Sequence, residues 1–257
     1  MDLQRTTEII IGIAQEAGAG VLAQYGNFEA IEKYDGTLVT EADPEAEMLI
    51  RKRLKAHFPD HSIYGEEMGF EGPRDNPYVW YIDPIDGTSN YIFGIPIWGV
   101  SIGLTHQGRC VAGVFEMPPV RETYWAWDGG GAFRNGQRLL PSTITEMRPN
   151  DLINVSSSGL NRYKLSFPQK IRSMGSAAHA LAGVAAGQFV GVVHDNWRLH
   201  DIAAGLVMCQ ETGVVATRDD GTVFDNFDGC DPDTAAPTLI LAPRALHSKL
   251  MATVKRR

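Results

Sequence analysis

A chain of 257 residues, 44% hydrophobic and 21% charged, can bury a large core as one big domain or two closely packed halves. Its net charge of −8, with a pI of about 5.4, argues against nucleic acid as a main partner and makes an anionic substrate puzzling unless cations mediate. Cys110, Cys209 and Cys230 are odd in number and far apart, which disfavours a disulfide framework or structural zinc and fits a reducing, cytoplasmic setting.

The N-terminal segment MDLQRTTEIIIGIAQEAG interrupts its apolar run with Asp2, Arg5, Glu8 and Glu16, so residues 3–24 read as an amphipathic helix and not a signal peptide. No stretch approaches the length of a membrane span. Asp43-Pro44 opens a second helix through about His57, with Asp43 as N-cap and Pro44 at the first helical position. From Val79 to Arg134 the pattern changes to short β-rich runs, VWYI, GVSIGLTH, VAGVFEM and ETYWAW, and Asn135-Gly136 marks a hairpin. This predicts a sheet with helices packed against it. After Pro141 strand and helix alternate: LINVSS, IRSMG, a small-residue helix near 176–187, FVGVV, a helix near 201–213, VVAT, TLILA and a final helix. The expected organisation is an N-terminal half, 1–140, and a C-terminal half, 141–257. Their junction, PSTITEMRPN, is too short for a free linker, so the halves should pack as one unit.

The stretch IDPIDGT ends the first of the β-rich runs with two aspartates three residues apart. Carboxylates this close repel, and in a poorly solvated place they need protons or a cation. An Asp-rich turn and a cation site are both consistent with the stretch alone. Asp43 lies at a helix start, Glu66 and Glu67 sit beside a glycine in YGEEMG, and Asp201 opens a small-residue helix, where it can equally be an N-cap. Together with Asp83 and Asp86 these oxygens can share two or three hard divalent cations. Other signals point nowhere: Gly129-Gly130-Gly131 lies between strands as a turn, SSSGLN lacks a nucleophile elbow, and the histidines lack zinc spacing.

GEE, DPIDGT and an aspartate before Ala-Ala-Gly, in this order and spacing, resemble the inositol monophosphatase family, and the similarity runs from LVTEAD to HDIAAG and beyond. The resemblance implies an α/β fold of the αβαβα sandwich type, magnesium-dependent phosphomonoester hydrolysis with two or three Mg²⁺, lithium sensitivity and a homodimer. By motif position, Glu66, Asp83 and the Ile85 carbonyl would hold one magnesium, and Asp83, Asp86 and Asp201 a second. Glu66 would reach a third through water. Thr88, hydrogen-bonded to Asp43, would orient and deprotonate the attacking water, while Gly87 and Thr88 would receive the phosphate. Lys33 and Glu67 are further matching positions. Ala177, His194 and Asp195 fall where the family contacts its substrate. Two residues depart from the pattern. His194 replaces the glutamate of inositol-specific relatives, and His200 replaces a tryptophan, so selectivity among sugar and polyol phosphates should be broad. Inositol 1-phosphate is the first expectation. Histidinol phosphate, fructose 1,6-bisphosphate and nucleotide 3′-phosphates are alternatives, and a regulatory role on transcription machinery is an alternative of another class.

Overall fold

The computed structural model describes residues 1–26, 30–32, 38–236 and 238–257. Helix α1 (Leu3–Gln24) begins where the sequence predicts, with the Asp2 carboxylate accepting from the Arg5 N–H at 3.1 Å, and it buries the stripe Ile10, Ile13, Ala17 and Val21. Strands β1 (Ala30–Glu32) and β2 (Leu38–Thr40) pair antiparallel before α2 (Ala42–His57). This helix starts two residues earlier than predicted. Glu41 takes the N-cap position and Asp43 lies inside the first turn, its carboxylate turned back to the Thr40 N–H at 2.8 Å and the Thr40 hydroxyl at 2.7 Å.

The first sheet contains β3 (Ser62–Gly65), β4 (Gly69–Glu71), β5 (Tyr78–Asp86), β6 (Gly99–His106), β7 (Arg109–Met117), β8 (Glu122–Trp127), β9 (Gly131–Arg134) and β10 (Gln137–Arg138). Their order is β10-β9-β8-β7-β6-β5-β3-β4, antiparallel except between β3 and β5. Asn135 and Gly136, at φ of 48° and 80°, turn β9 into β10 as a two-residue hairpin loop requires. Helix α3 (Thr88–Ile92) follows β5 directly.

The later elements are β11 (Leu152–Val155), α4 (Ser157–Arg162), β12 (Tyr163–Leu165), β13 (Lys170–Arg172), α5 (Ala177–Ala185), β14 (Gly191–His194), α6 (Leu199–Glu211), β15 (Val214–Arg218), β16 (Leu239–Pro243), α7 (Arg244–Thr253) and β17 (Val254–Arg256). Five of the strands form a mixed sheet ordered β13-β11-β14-β16-β15, and β12 pairs with β17. Helices α1 and α2 cover one face of the first sheet, α5 and α6 fill the space between the sheets, and α7 packs on the far side of the second. The layers are α, β, α, β, α. Among the described residues no helix is long and apolar enough to cross a membrane.

Small residues set how closely the middle layer approaches. A Cβ on Gly103 would lie 2.5 Å from the Ala203 Cβ, and one on Gly113 would lie 2.6 Å from the Ala204 Cα. Gly205 faces α5 in the same way, 2.4 Å from the Leu181 Cβ. The Ala-Ala-Gly run is therefore a packing surface on both of its sides, and its close docking carries Asp201 to the end of β5.

Candidate active site

Strand β5 ends in an irregularity. Asp83 pairs with Ser101 and Asp86 with Gly99, so three steps along β5 match two along β6, which is a β-bulge of one residue. Pro84, with no N–H to give the ladder, sits inside it. The Ile85 N–H donates to the Asp83 carboxylate at 3.0 Å, and the Ile85 carbonyl accepts from the Thr88 hydroxyl at 3.0 Å. Gly87 has φ of +93°, and a Cβ there would sit 2.8 Å from the Ile97 carbonyl oxygen, so conformation and space both demand glycine.

Carboxylate oxygens of Asp83, Asp86 and Asp201 lie within 4.8 Å of one another. Asp83 and Asp86 are buried. Burial holds the Asp83 carboxyl well above the usual range, and the charges of Glu66, Asp86, Asp201 and Asp43 add to it. Burial also pushes Asp86 up to about 7, against hydrogen bonds from the Ser176 hydroxyl and from the Ala177 and Ala178 N–H groups, each of the latter at 3.0 Å. Asp201 is raised to about 6 by burial, with Arg198 opposing. Three acids that repel in a poorly solvated place, offering only oxygen, match a hard divalent cation. Among the described residues no imidazole or thiol joins these three as a candidate metal ligand.

Asp201 does not cap α6. It is the third helical residue, and its carboxylate reaches back to accept from the Arg198 N–H at 2.6 Å, closing the first turn. The half-buried Glu66 follows β3, its N–H donating to the Ile82 carbonyl at 3.1 Å; its charge acts on Asp83 although it lies outside the 4.8 Å group. Glu67 is half-buried on the same turn, and Lys33 lies outside the described residues. Asp43 and Thr88 come together at 3.5 Å between Oδ1 and the hydroxyl.

The sequence reading missed Glu47. Its fully buried carboxylate accepts from the N–H groups of Glu67 at 2.8 Å and Met68 at 3.2 Å, and is neutralised by Arg51 at 2.8 Å. Gly65 leaves it room, since a Cβ there would lie 2.1 Å from the Glu47 Oε1. Glu47 thus supports the Gly-Glu-Glu turn from behind. In sequence it looks like an ordinary i, i+4 helix pair with Arg51.

Beside the acids opens a cavity of about 210 Å³ lined by Asp86, Asp201, Ala177, Asn154, Ser156 and His194, among others. Asn154 is 2% exposed, and its Nδ2 has no hydrogen-bond partner among the described residues; the same holds for the His194 Nδ1. Burial pushes the His194 ring down to about 4, so it is neutral near pH 7. Asn154 was not foreseen: nothing in LINVSS distinguishes it from a strand residue facing water. Asp195 is not among the lining residues. Its Oδ1 accepts from Thr238 at 2.7 Å and pairs with Arg162 at 3.0 Å. His200 is buried, its Nε2 3.3 Å from Asp201 and its ring 5.9 Å from that of Tyr64.

The sequence profile of the inositol monophosphatase family matches residues 2–257. A fructose-1,6-bisphosphatase/inositol-1-monophosphatase of Thermotoga maritima is 31% identical over 254 residues, covering 95% of this chain and 93% of its own. A histidinol-phosphatase of Chlorobaculum parvum is 42% identical over 141 residues, 54% of each chain. Among solved structures, the IMPase of Thermotoga maritima superposes with a TM-score of 0.85 at 28% identity, covering 96% of this chain and 95% of that one. This chain is a phosphatase and belongs to the inositol monophosphatase family.

Proposed function

We propose that the chain hydrolyses phosphomonoesters with Mg²⁺ at the end of β5, and that inositol 1-phosphate is its first substrate. The observation that carries the reading is the approach of Asp83, Asp86 and Asp201 within 4.8 Å, two from the end of β5 and one from the first turn of α6. Glu66, Asp83 and the Ile85 carbonyl would hold one ion, Asp83, Asp86 and Asp201 a second, and Glu66 would reach a third through water. Bound there, Mg²⁺ supplies positive charge to the phosphate and lowers the pKa of water.

The protein's own groups do the positioning. The Thr40 N–H and hydroxyl fix one oxygen of Asp43, leaving Oδ1 toward Thr88. Turned from Ile85 to Asp43, the Thr88 hydroxyl donates to that carboxylate and its oxygen accepts from a water. This aims the water at phosphorus, and its proton passes through Thr88 to Asp43. Gly87 and the N–H groups opening α3 receive phosphate oxygens without a side chain in the way. Ala177, His194 and Asn154 line the space for the leaving group. These groups are neutral and suit hydroxyls. With Asp195 engaged by Arg162, an ammonium group finds no carboxylate among the described lining residues beyond the metal acids.

The names of relatives keep fructose 1,6-bisphosphate and histidinol phosphate as alternatives. The family resemblance implies a homodimer sensitive to Li⁺, the cysteine pattern fits a cytoplasmic setting, and each chain would pack its halves 1–140 and 141–257 as one unit. A panel of inositol 1-phosphate, histidinol phosphate and fructose 1,6-bisphosphate, assayed with Mg²⁺ and with excess EDTA, tests the reading. The expected result is kcat/KM highest for inositol 1-phosphate and no turnover in EDTA. Full turnover in EDTA would reject the metal chemistry, and a strong preference for histidinol phosphate would reject the substrate.

A further inference from the structure

A second cavity, of about 540 Å³, lies along the N-terminal half of β5 and shares no lining residue with the first. Val79 and Tyr81 form its floor, and the segment 227–232 forms one wall. That wall is fixed. The Phe227 N–H donates to the Gly108 carbonyl at 2.9 Å, the Cys230 N–H to the Phe227 carbonyl at 3.0 Å, and the Tyr64 hydroxyl to the Pro232 carbonyl at 2.9 Å.

Three features define what fits. Tyr81 is 7% exposed, lines the cavity, and its hydroxyl makes no hydrogen bond among the described residues. The hydroxyl is not among the buried unpartnered atoms, so it opens onto the cavity, where a ligand's polar group can reach it. The rings of Phe70 and Phe227 stand beside it, Phe227 packing edge-on to Tyr81 at 5.2 Å. Finally, the carboxylates of Asp75 and Asp228 line the cavity with no ion pair among the described residues. The one lining cation, Arg74, is committed: it pairs with Asp233 at 3.1 Å and lies 5.1 Å over the Phe70 ring.

Unpaired carboxylates disfavour an anion, and the rings disfavour a bare metal ion. The carboxylates of this cavity do not converge as those at the end of β5 do. What remains is a cation with an apolar body, drawn by acids and aromatic faces together, and carrying a polar group for the Tyr81 hydroxyl. We propose that this cavity is a binding site for an amphipathic organic ammonium, with Tyr81, Phe227, Asp75 and Asp228 as its recognition residues. The volume is within the range of small-molecule sites.

The test uses the full chain with saturating Mg²⁺ and three probes of one shape: tyramine, neutral 4-ethylphenol, and anionic 3-(4-hydroxyphenyl)propionate. Calorimetry gives affinities, and NMR shifts of the Gly108, Phe227 and Gly229 amides give the location. Tyramine should bind roughly tenfold tighter than 4-ethylphenol, the scale of one charge-assisted contact with aromatic support, and the propionate weakest. Asp228→Asn and Tyr81→Phe should each weaken tyramine by about threefold to tenfold. Asp228 is exposed, so its variant keeps the fold. No saturable tyramine binding, equal binding of the neutral probe, or binding lost in Asp201→Asn but kept in Asp228→Asn would overturn the proposal; the last outcome would assign the amine to the acids at the end of β5.

Discussion

Asp86 enters the acid cluster with hydrogen bonds from Ser176, Ala177 and Ala178 already made, and Asp201 with one from Arg198; Asn154 and His194, on the wall of the adjoining cavity, keep buried nitrogens with no partner among the described residues. The acids are aimed by backbone donors that cannot rearrange without unfolding a helix start. The wall residues are aimed only by packing. Reaction chemistry demands fixed positions, whereas a leaving group can supply the missing hydrogen bonds itself. Turnover should therefore be sensitive to changes in the cluster, and substrate preference to changes in the wall.

The sharpest break of that contrast is the largest effect. Asp86→Asn and Asp201→Asn should each lower kcat for inositol 1-phosphate by about 10²-fold or more, with folding checked by circular dichroism. Near-normal rates in both would remove the cluster from the chemistry. Thr88→Ala should lower kcat by roughly 10–10²-fold while leaving half-saturating Mg²⁺ unchanged. A raised metal requirement instead would make Thr88 part of the metal's support.

Titration sharpens the comparison further. Asp86 is raised to about 7 and Asp201 to about 6, so below pH 7 the metal-free site holds protons that a cation must displace. The sign follows: metal binding releases protons, so affinity rises with pH and levels off once the acids are ionised. Half-saturating Mg²⁺ should fall about tenfold from pH 6 to pH 8 for one released proton. A flat dependence would mean the acids are already ionised without metal.

The smallest effects belong to the wall. His194→Glu should shift the ratio of inositol 1-phosphate to glycerol 2-phosphate turnover by about threefold to tenfold, one hydrogen bond's worth. Asn154→Leu should raise KM by a similar factor with kcat little changed, and the melting temperature should hold or rise because an unpaired buried amide is removed. A melting temperature that fell sharply would show that Asn154 serves the fold and not the substrate.

The same contrast governs what could be read from the chain. The runs of β5 to β8 are short and rich in β-branched and aromatic residues, the Asn135-Gly136 hairpin has one favoured geometry, and Asp83 with Asp86 stands out because acids rarely end a buried strand. Those features are local. The start of α2 was misread because Pro44 suits a first turn at more than one position, and the bonds from Thr40 that draw Asp43 inward depend on β2. Glu47 and Asn154 were invisible for a related reason. Each looks ordinary beside its neighbours in sequence, and acquires its role only where β3 passes α2 or where β11 and β14 meet the acids.

The bulge in β5 has one more consequence. On a regular strand, residues three apart face opposite sides of the sheet. The extra residue between Asp83 and Asp86 cancels that parity, so an odd spacing behaves as an even one. The site is thus inherited as a length as well as a set of letters. A descendant that kept both aspartates but drew the strand back into regular register would send one into the layer of α1 and α2 and the other into the layer of α5 and α6. Its site would be lost without a single acidic residue having changed.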